Sequence, residues 1–155
     1  MPAHVAIIDV ARTGAVLSAG IVHGTDAFFS IAGGQALART SDGCLTEVMG
    51  RIHETADRRM PLVGAAALLM SVGCAIFAET TRGKMSGVAA VLLQVAYIAL
   101  YTRYAKPINV LLIAGARAGK AAADTHALQR RWDRVVGVRF VLMGATMLCL
   151  TFIVR

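Results

Sequence analysis

Charge is scarce in this chain and unevenly spread: only 16% of its 155 residues are Asp, Glu, Lys or Arg, against 57% hydrophobic residues, with a mean hydropathy of +0.64. A soluble domain of this length has too little interior to hide so much apolar surface. Cysteine is equally sparse. Cys44, Cys74 and Cys149 are widely spaced and form no C-x-x-C pair, which argues against a zinc site or a disulfide framework and leaves the thiols as packing residues. The N-terminus lacks a basic segment leading into a short apolar core and a small-residue cleavage site, so no cleaved signal peptide is expected. Acidic residues number only nine against sixteen Lys and Arg, a formal charge of +7. Basic residues that flank apolar runs act as topology signals and headgroup contacts, so nucleic acid is not an expected partner.

Long apolar runs are what the chain has in abundance. Residues 61–78 and 85–102 are each 18 residues without a charge, close to the roughly 20 helical residues that cross a bilayer's hydrocarbon core. Val135–Val154 is as long but includes Arg139, and the first run is interrupted only by His23 and Asp26. The expectation is an all-α, integral membrane four-helix bundle forming one domain, with spans at about 13–38, 61–78, 85–104 and 135–154. The lipid bilayer is then the first partner.

Twelve of the sixteen Lys and Arg fall in or beside the first and third connections (Arg39, Arg51, Arg58, Arg59, Arg103, Lys106, Arg117, Lys120, Arg130, Arg131, Arg134 and Arg139). Only Arg12, Arg82, Lys84 and Arg155 belong to the other side. The positive-inside rule puts the first and third connections in the cytoplasm and both termini outside the cell membrane.

Turn residues Gly33-Gly34 and Ser41-Asp42-Gly43 are expected to end the first helix. The stretch 45–59, with Val48, Met49 and Ile52 at helical spacing, predicts a short amphipathic interfacial helix, and Pro61 fits the first turn of the second span. Glu79–Lys84 leaves room only for a tight hairpin. Tyr101, Arg103 and Tyr104 resemble a membrane-surface belt, Pro107 should kink or end the third helix, and Trp132 within Gln129–Arg134 belongs at headgroup depth. Gly20 and Gly24, Gly64 and Gly73, and Gly137 with Gly144 mark faces where helices could approach closely and where copies could self-associate as a homo-oligomer.

Ionisable groups at membrane depth are costly and therefore informative. His23 and Asp26, at i and i+3, share a helix face; His53 and Asp57, at i and i+4, lie at the cytoplasmic mouth of the second helix. Asn109 and Arg139 approach from the third and fourth helices, so every span directs polar groups at one region. Asp26 and Arg139 should pair with each other, with His23 or with water. The plainer reading is that this pair pins two helices together.

A functional reading makes His23 and Asp26 a proton-handling pair, Arg139 and Asn109 partners of a developing oxyanion, and His53, Asp57, Trp132 and Gln94 substrate-binding residues. A metal reading uses His23, Asp26, His53 and Asp57 as ligands, though Arg58, Arg59 and Arg139 crowd the region and no E-x-x-H pattern is present. Otherwise no cofactor is expected.

Four segments carry a family resemblance: His23-Gly-Thr-Asp26, the stretch from Val48 through His53 and Asp57 to Pro61, Lys106-Pro107-Ile-Asn109, and Arg131-Trp132 followed by Arg139. Together they resemble the anthrone-oxygenase-like family of small four-span membrane proteins, known in bacteria mostly as a domain of unknown function. The pattern of Pro-Ile-Asn, then Trp, then Arg matches Pro107-Ile108-Asn109, Trp132 and Arg139. Many relatives also place a His between that Trp and Arg; here the six intervening residues include none.

The resemblance implies a cofactor-independent oxygenase that converts a lipophilic, aromatic or polyketide-like substrate, a base removing an acidic proton so that the carbanion itself reacts with oxygen. His23 or His53 would then replace the missing histidine. The alternative in another class is a non-catalytic membrane protein, whether a subunit, a helix-packing partner or a minor permease.

Overall fold

A computed structural model describes residues 3–153, and those residues form helices and turns with no strand among them. The helices are α1 (Ala3–Phe28), α2 (Gly34–Leu37), α3 (Asp42–Phe77), α4 (Thr81–Leu100), α5 (Lys106–Ala118) and α6 (Thr125–Thr151). A π-helical turn, Phe29–Gly33, joins α1 to α2, and a second, Tyr101–Ala105, joins α4 to α5. Four continuous helical stretches are therefore long and apolar enough to cross a membrane: Ile7–Leu37, Asp42–Phe77, Thr81–Ala118 and Thr125–Thr151. The side chain of His4, and Val154 and Arg155, lie outside the described residues.

Local chemistry explains the boundaries. Ser41 and Thr80 precede α3 and α4, and their hydroxyls accept from the backbone N–H groups of Cys44 (3.4 Å) and Gly83 (3.0 Å), as N-cap residues do. At the end of α5, Gly119 turns left-handed at φ 61°, and the N–H groups of Gly119 and Lys120 return to the carbonyls of Ala116 and Gly115. That crossed pair is a Schellman stop, which a residue without Cβ accepts at no steric cost.

Proline behaves differently at its two internal positions. Pro61 is expected from sequence to begin a span but lies inside α3, so the amphipathic stretch 45–59 is continuous with the apolar helix beyond it. Pro107 stands near the start of α5, directly after the π-helical turn. Its ring would collide with the carbonyl four residues back, that of Arg103. Widening Tyr101–Ala105 into a π turn, in which Lys106 N–H reaches the Tyr101 carbonyl, relieves the collision without ending the helix.

The chain divides into two compact units. The first comprises the residues up to Gly24, Pro61–Tyr97 and those from Val141 onward. Its core is built of small and medium side chains: Ala15, Cys74, Ala78, Ala90, Leu150 and Ile153. Gly87 sits so close to α3 that a Cβ would fall 2.6 Å from Ala75 Cα. Arg12 Nη1 donates to the Ile153 carbonyl at 2.9 Å, tying α1 to the chain beyond α6.

The second unit comprises Thr25–Met60 and Ile98–Phe140. Its core is larger and aromatic, with Phe29, Leu45, Met49, Ile108, Leu112, Trp132 and Val136 buried together. Gly50 admits α5: a Cβ there would lie 2.5 Å from Ala116 Cβ and 2.6 Å from the Leu112 carbonyl oxygen. Thr46, Thr125 and the backbone of Ala122 form a buried hydroxyl node, with 3.0 Å between the two hydroxyls and 3.1 Å from Ala122 N–H to Thr46 Oγ1.

The glycines expected at close approaches are mostly elsewhere. Gly24, Gly64, Gly73 and Gly137 have no neighbouring atom within 4 Å of where a Cβ would stand. Spacing alone cannot tell which face a small residue occupies. Ile7, Leu17, Leu62, Leu69, Leu92 and Leu148 are each more than 60% exposed. Each would cost about 1.5–3 kcal/mol to leave in water rather than apolar surroundings.

Candidate functional site

The second unit gathers polar side chains from each of its helical segments. Asp26, on the last turn of α1, is 2% exposed, and its Oδ1 accepts from Arg139 Nη2 at 2.9 Å. Arg139, on α6, is itself buried and sets its guanidinium over the Tyr101 ring, 5.7 Å from the centroid. It also lies close enough to His53 to act on it electrostatically.

Tyr101 opens the second π-helical turn, and its phenol faces the Asp57 carboxylate. Asp57 also accepts from Asn109 Nδ2, at 3.0 and 3.3 Å to its two oxygens. His53, one helical turn before Asp57, is 3% exposed and packs its ring on Trp132, 5.0 Å between centroids. Phe29, which opens the first π-helical turn, meets Trp132 edge-on at 5.1 Å. Two groups of contacts thus lie in the second unit, one running from Asp26 through Arg139 and Tyr101 to Asp57 and Asn109, the other joining His53, Trp132 and Phe29, with His53 and Asp57 one turn apart on α3.

Both π-helical turns serve these contacts. A π turn inserts one residue into the helical count and so rotates every later residue of the helix by roughly 100°. The first carries Phe29 and the second Tyr101, and each side chain takes part in one of the two groups. Sequence reasoning singles out neither as a site residue. The one signal it offers is Pro107, whose demand on the preceding turn is local and readable.

Hydrogen-bond accounting within these groups is incomplete. His53 Nε2, Trp132 Nε1 and Asn109 Oδ1 are buried and find no hydrogen-bond partner among the described residues. Each such group costs about 1–3 kcal/mol of desolvation when nothing answers it. Buried amide oxygens of Gln129 in this unit and Gln94 in the first share that condition, but only here do a ring N–H, an imidazole nitrogen and a carbonyl occur in one unit. Together they can donate, accept and exchange a proton.

Asn109 turns its amide nitrogen to Asp57. A carboxylate only accepts, so Asp57 fixes the amide with its nitrogen inward, and the atom left over is a carbonyl oxygen. The indole N–H of Trp132 is a buried donor with no partner among the described residues.

Of the remaining candidates, His23 belongs to the first unit, half-buried, with its ring against Gly144, where a Cβ would stand 3.3 Å from His23 Cε1. Gln94 belongs there too, 2% exposed, donating to Ser71 Oγ at 2.8 Å and to the Ala90 carbonyl at 3.2 Å. Asp26, His53, Asp57, Asn109, Trp132 and Arg139 are brought together in the second unit. Among the described residues, no three His, Cys, Asp or Glu side chains are disposed to hold a metal ion.

No protein-family model matches the chain, and neither a curated protein nor a solved structure does.

Proposed function

We propose that this chain is a multi-pass protein of the cell membrane, its first and third connections cytoplasmic and its termini outside, that acts as a cofactor-independent oxygenase on a lipophilic aromatic or polyketide-like substrate. The observation that carries the reading is the buried, unanswered imidazole nitrogen of His53, its ring set on Trp132. The similarity of the motifs around Pro107-Ile108-Asn109, Trp132 and Arg139 to the anthrone-oxygenase-like family points the same way.

In this reading His53 Nε2 removes a proton from an activated methylene of the substrate, and the Trp132 N–H bonds the enolate oxygen that forms. The carbanion gives one electron to dioxygen, the two radicals combine to a hydroperoxide, and loss of water leaves a ketone. The methylene is oxidised to a carbonyl, one O₂ is consumed and one H₂O is released. Arg139, paired with Asp26, contributes its field to the anion. Asp57, which the Tyr101 phenol faces, holds Asn109. The outward leucines and isoleucines of the four long helices suit contact with acyl chains.

Membranes containing the protein are incubated with anthrone, following oxygen uptake and the absorbance of anthraquinone. His53→Ala should lower turnover by about 10²–10⁴-fold, whereas His23→Ala should retain it. Full activity in His53→Ala overturns the assignment of the base, and absence of oxygen-dependent turnover in the unaltered protein with a panel of lipophilic carbon acids overturns the oxygenase reading.

A further inference from the structure

We infer that the first unit carries a seat for one phospholipid with a zwitterionic, ethanolamine-type headgroup, the phosphate on Arg12, the ammonium on Asp9 and an acyl chain along Val16, Leu17 and Leu150. The inference rests on the membrane location proposed above and not on the oxygenase chemistry.

An open groove of about 300 Å³ lies between α1 and the end of α6, lined by Arg12, Thr13, Val16, Leu17, Leu150 and Thr151. All six belong to the first unit. Leu17 is 65% exposed and Leu150 fully buried, so they make a wall and a floor. An α-helix rises about 1.5 Å per residue, which sets Arg12 about 4.5 Å beyond Asp9 along α1, and Val16 and Leu17 about 6–7.5 Å beyond Arg12. Read from the N-terminal end of α1, the order is anion, cation, apolar surface.

A zwitterionic phospholipid presents ammonium, phosphate and acyl chain in that same order, so each level meets its complement. A headgroup that carries only the phosphate charge brings nothing of opposite sign to Asp9. Choline carries no N–H, whereas the ethanolamine ammonium has three and forms charge-assisted hydrogen bonds with a carboxylate.

The Arg12 guanidinium is positioned by the protein without being used up. Nη1 donates to the Ile153 carbonyl at 2.9 Å and Nη2 meets Asp9 Oδ1 at 3.4 Å. That leaves Nε and one hydrogen on each terminal nitrogen for the oxygens of a phosphate. A carboxylate accepts at about four lone-pair sites, so the contact with Arg12 does not exhaust Asp9. The two side chains are 33% and 26% exposed, so neither charge is closed off from a headgroup.

The full-length protein, purified in detergent, is titrated with phosphatidylethanolamine, phosphatidylcholine and phosphatidylglycerol of identical acyl chains, and bound lipid is read by native mass spectrometry. The ethanolamine lipid should bind about two- to fivefold more tightly than either of the others, the worth of one partly exposed ion pair. Asp9→Asn should bring its advantage over the choline lipid to about one, while Leu17→Ala should weaken all three and preserve their order. Inorganic phosphate and glycerophosphoethanolamine, the same headgroup without chains, should not displace the lipid.

Equal binding of the three lipids by the unaltered protein overturns the inference, and that comparison requires no variant to fold. A preference that survives Asp9→Asn, or displacement by the chainless headgroup, does so as well. Release of the protein from membranes by an alkaline carbonate wash would sink the membrane reading, whereas a protein retained in the membrane but indifferent to headgroup would sink this inference alone.

Discussion

The Asp26–Arg139 pair offers the most direct test of how the second unit is held together. The two groups meet at 2.9 Å with side chains 2% and 11% exposed, joining the end of α1 to α6. Taking either charge away leaves the other buried without its closest counter-charge, which typically costs about 3–5 kcal/mol. Asp26→Leu alone and Arg139→Met alone should each lose about that much, a factor of roughly 10²–10⁴ in the folding equilibrium.

The double variant should recover most of the loss, because two apolar side chains of similar volume remove both desolvation costs at once. Unfolding in mixed micelles of increasing SDS content, followed by helical circular dichroism, gives the four stabilities of the cycle. Single variants that lose less than about 1 kcal/mol, or a double variant as unstable as the sum of the singles, would refute the reasoning. The pair would then be held by other contacts.

Gly50→Ala should destabilise by about 1–3 kcal/mol, because its methyl meets Ala116 and the Leu112 carbonyl. Gly64→Ala, with nothing within 4 Å, should instead gain about 0.5–1 kcal/mol of helix propensity; the same SDS titration reads both. Thr46→Val should cost about 1–3 kcal/mol by stranding Ala122 N–H and breaking the link to Thr125, with faster hydrogen exchange at Ala122 as its local mark. Pro107→Ala restores a backbone N–H and permits an ordinary α-helical turn, which would rotate Tyr101 away from Asp57. Oxygen uptake should fall in that variant while its stability does not, and unchanged uptake would separate the π-helical turn from the site.

The pieces of the site legible in sequence are those whose chemistry is intrinsic to the residue. Asp26 and Arg139 stand out because a charge inside an apolar run must find a partner, and the structure pairs them. His53, Asp57, Asn109 and Trp132 are marked by spacing and motif, and all four fall in the second unit. Their division of labour is not legible. That Asn109 presents an oxygen follows from Asp57 lying against its nitrogen, a contact 52 residues apart in sequence. Tyr101 and Phe29 stay hidden because neither carries a charge that must find a partner, and the π turns they open change the face on which later residues emerge, which helical periodicity does not allow for.

Hydrophobicity is additive along the chain, so residue types alone determined an all-helical protein with four stretches long and apolar enough to cross a membrane. The caps and the Gly119 stop are likewise local. Close approach is not. Gly50 and Gly87 face a neighbouring helix whereas Gly64 and Gly73 do not, and α3 continues through Pro61, because these outcomes depend on the azimuth at which each helix meets the next. Which buried polar atoms find partners is decided in the same way. His53, Trp132 and Asn109 each keep one atom unanswered because three separate helices meet at fixed angles, and no count of residue types along the chain contains those angles.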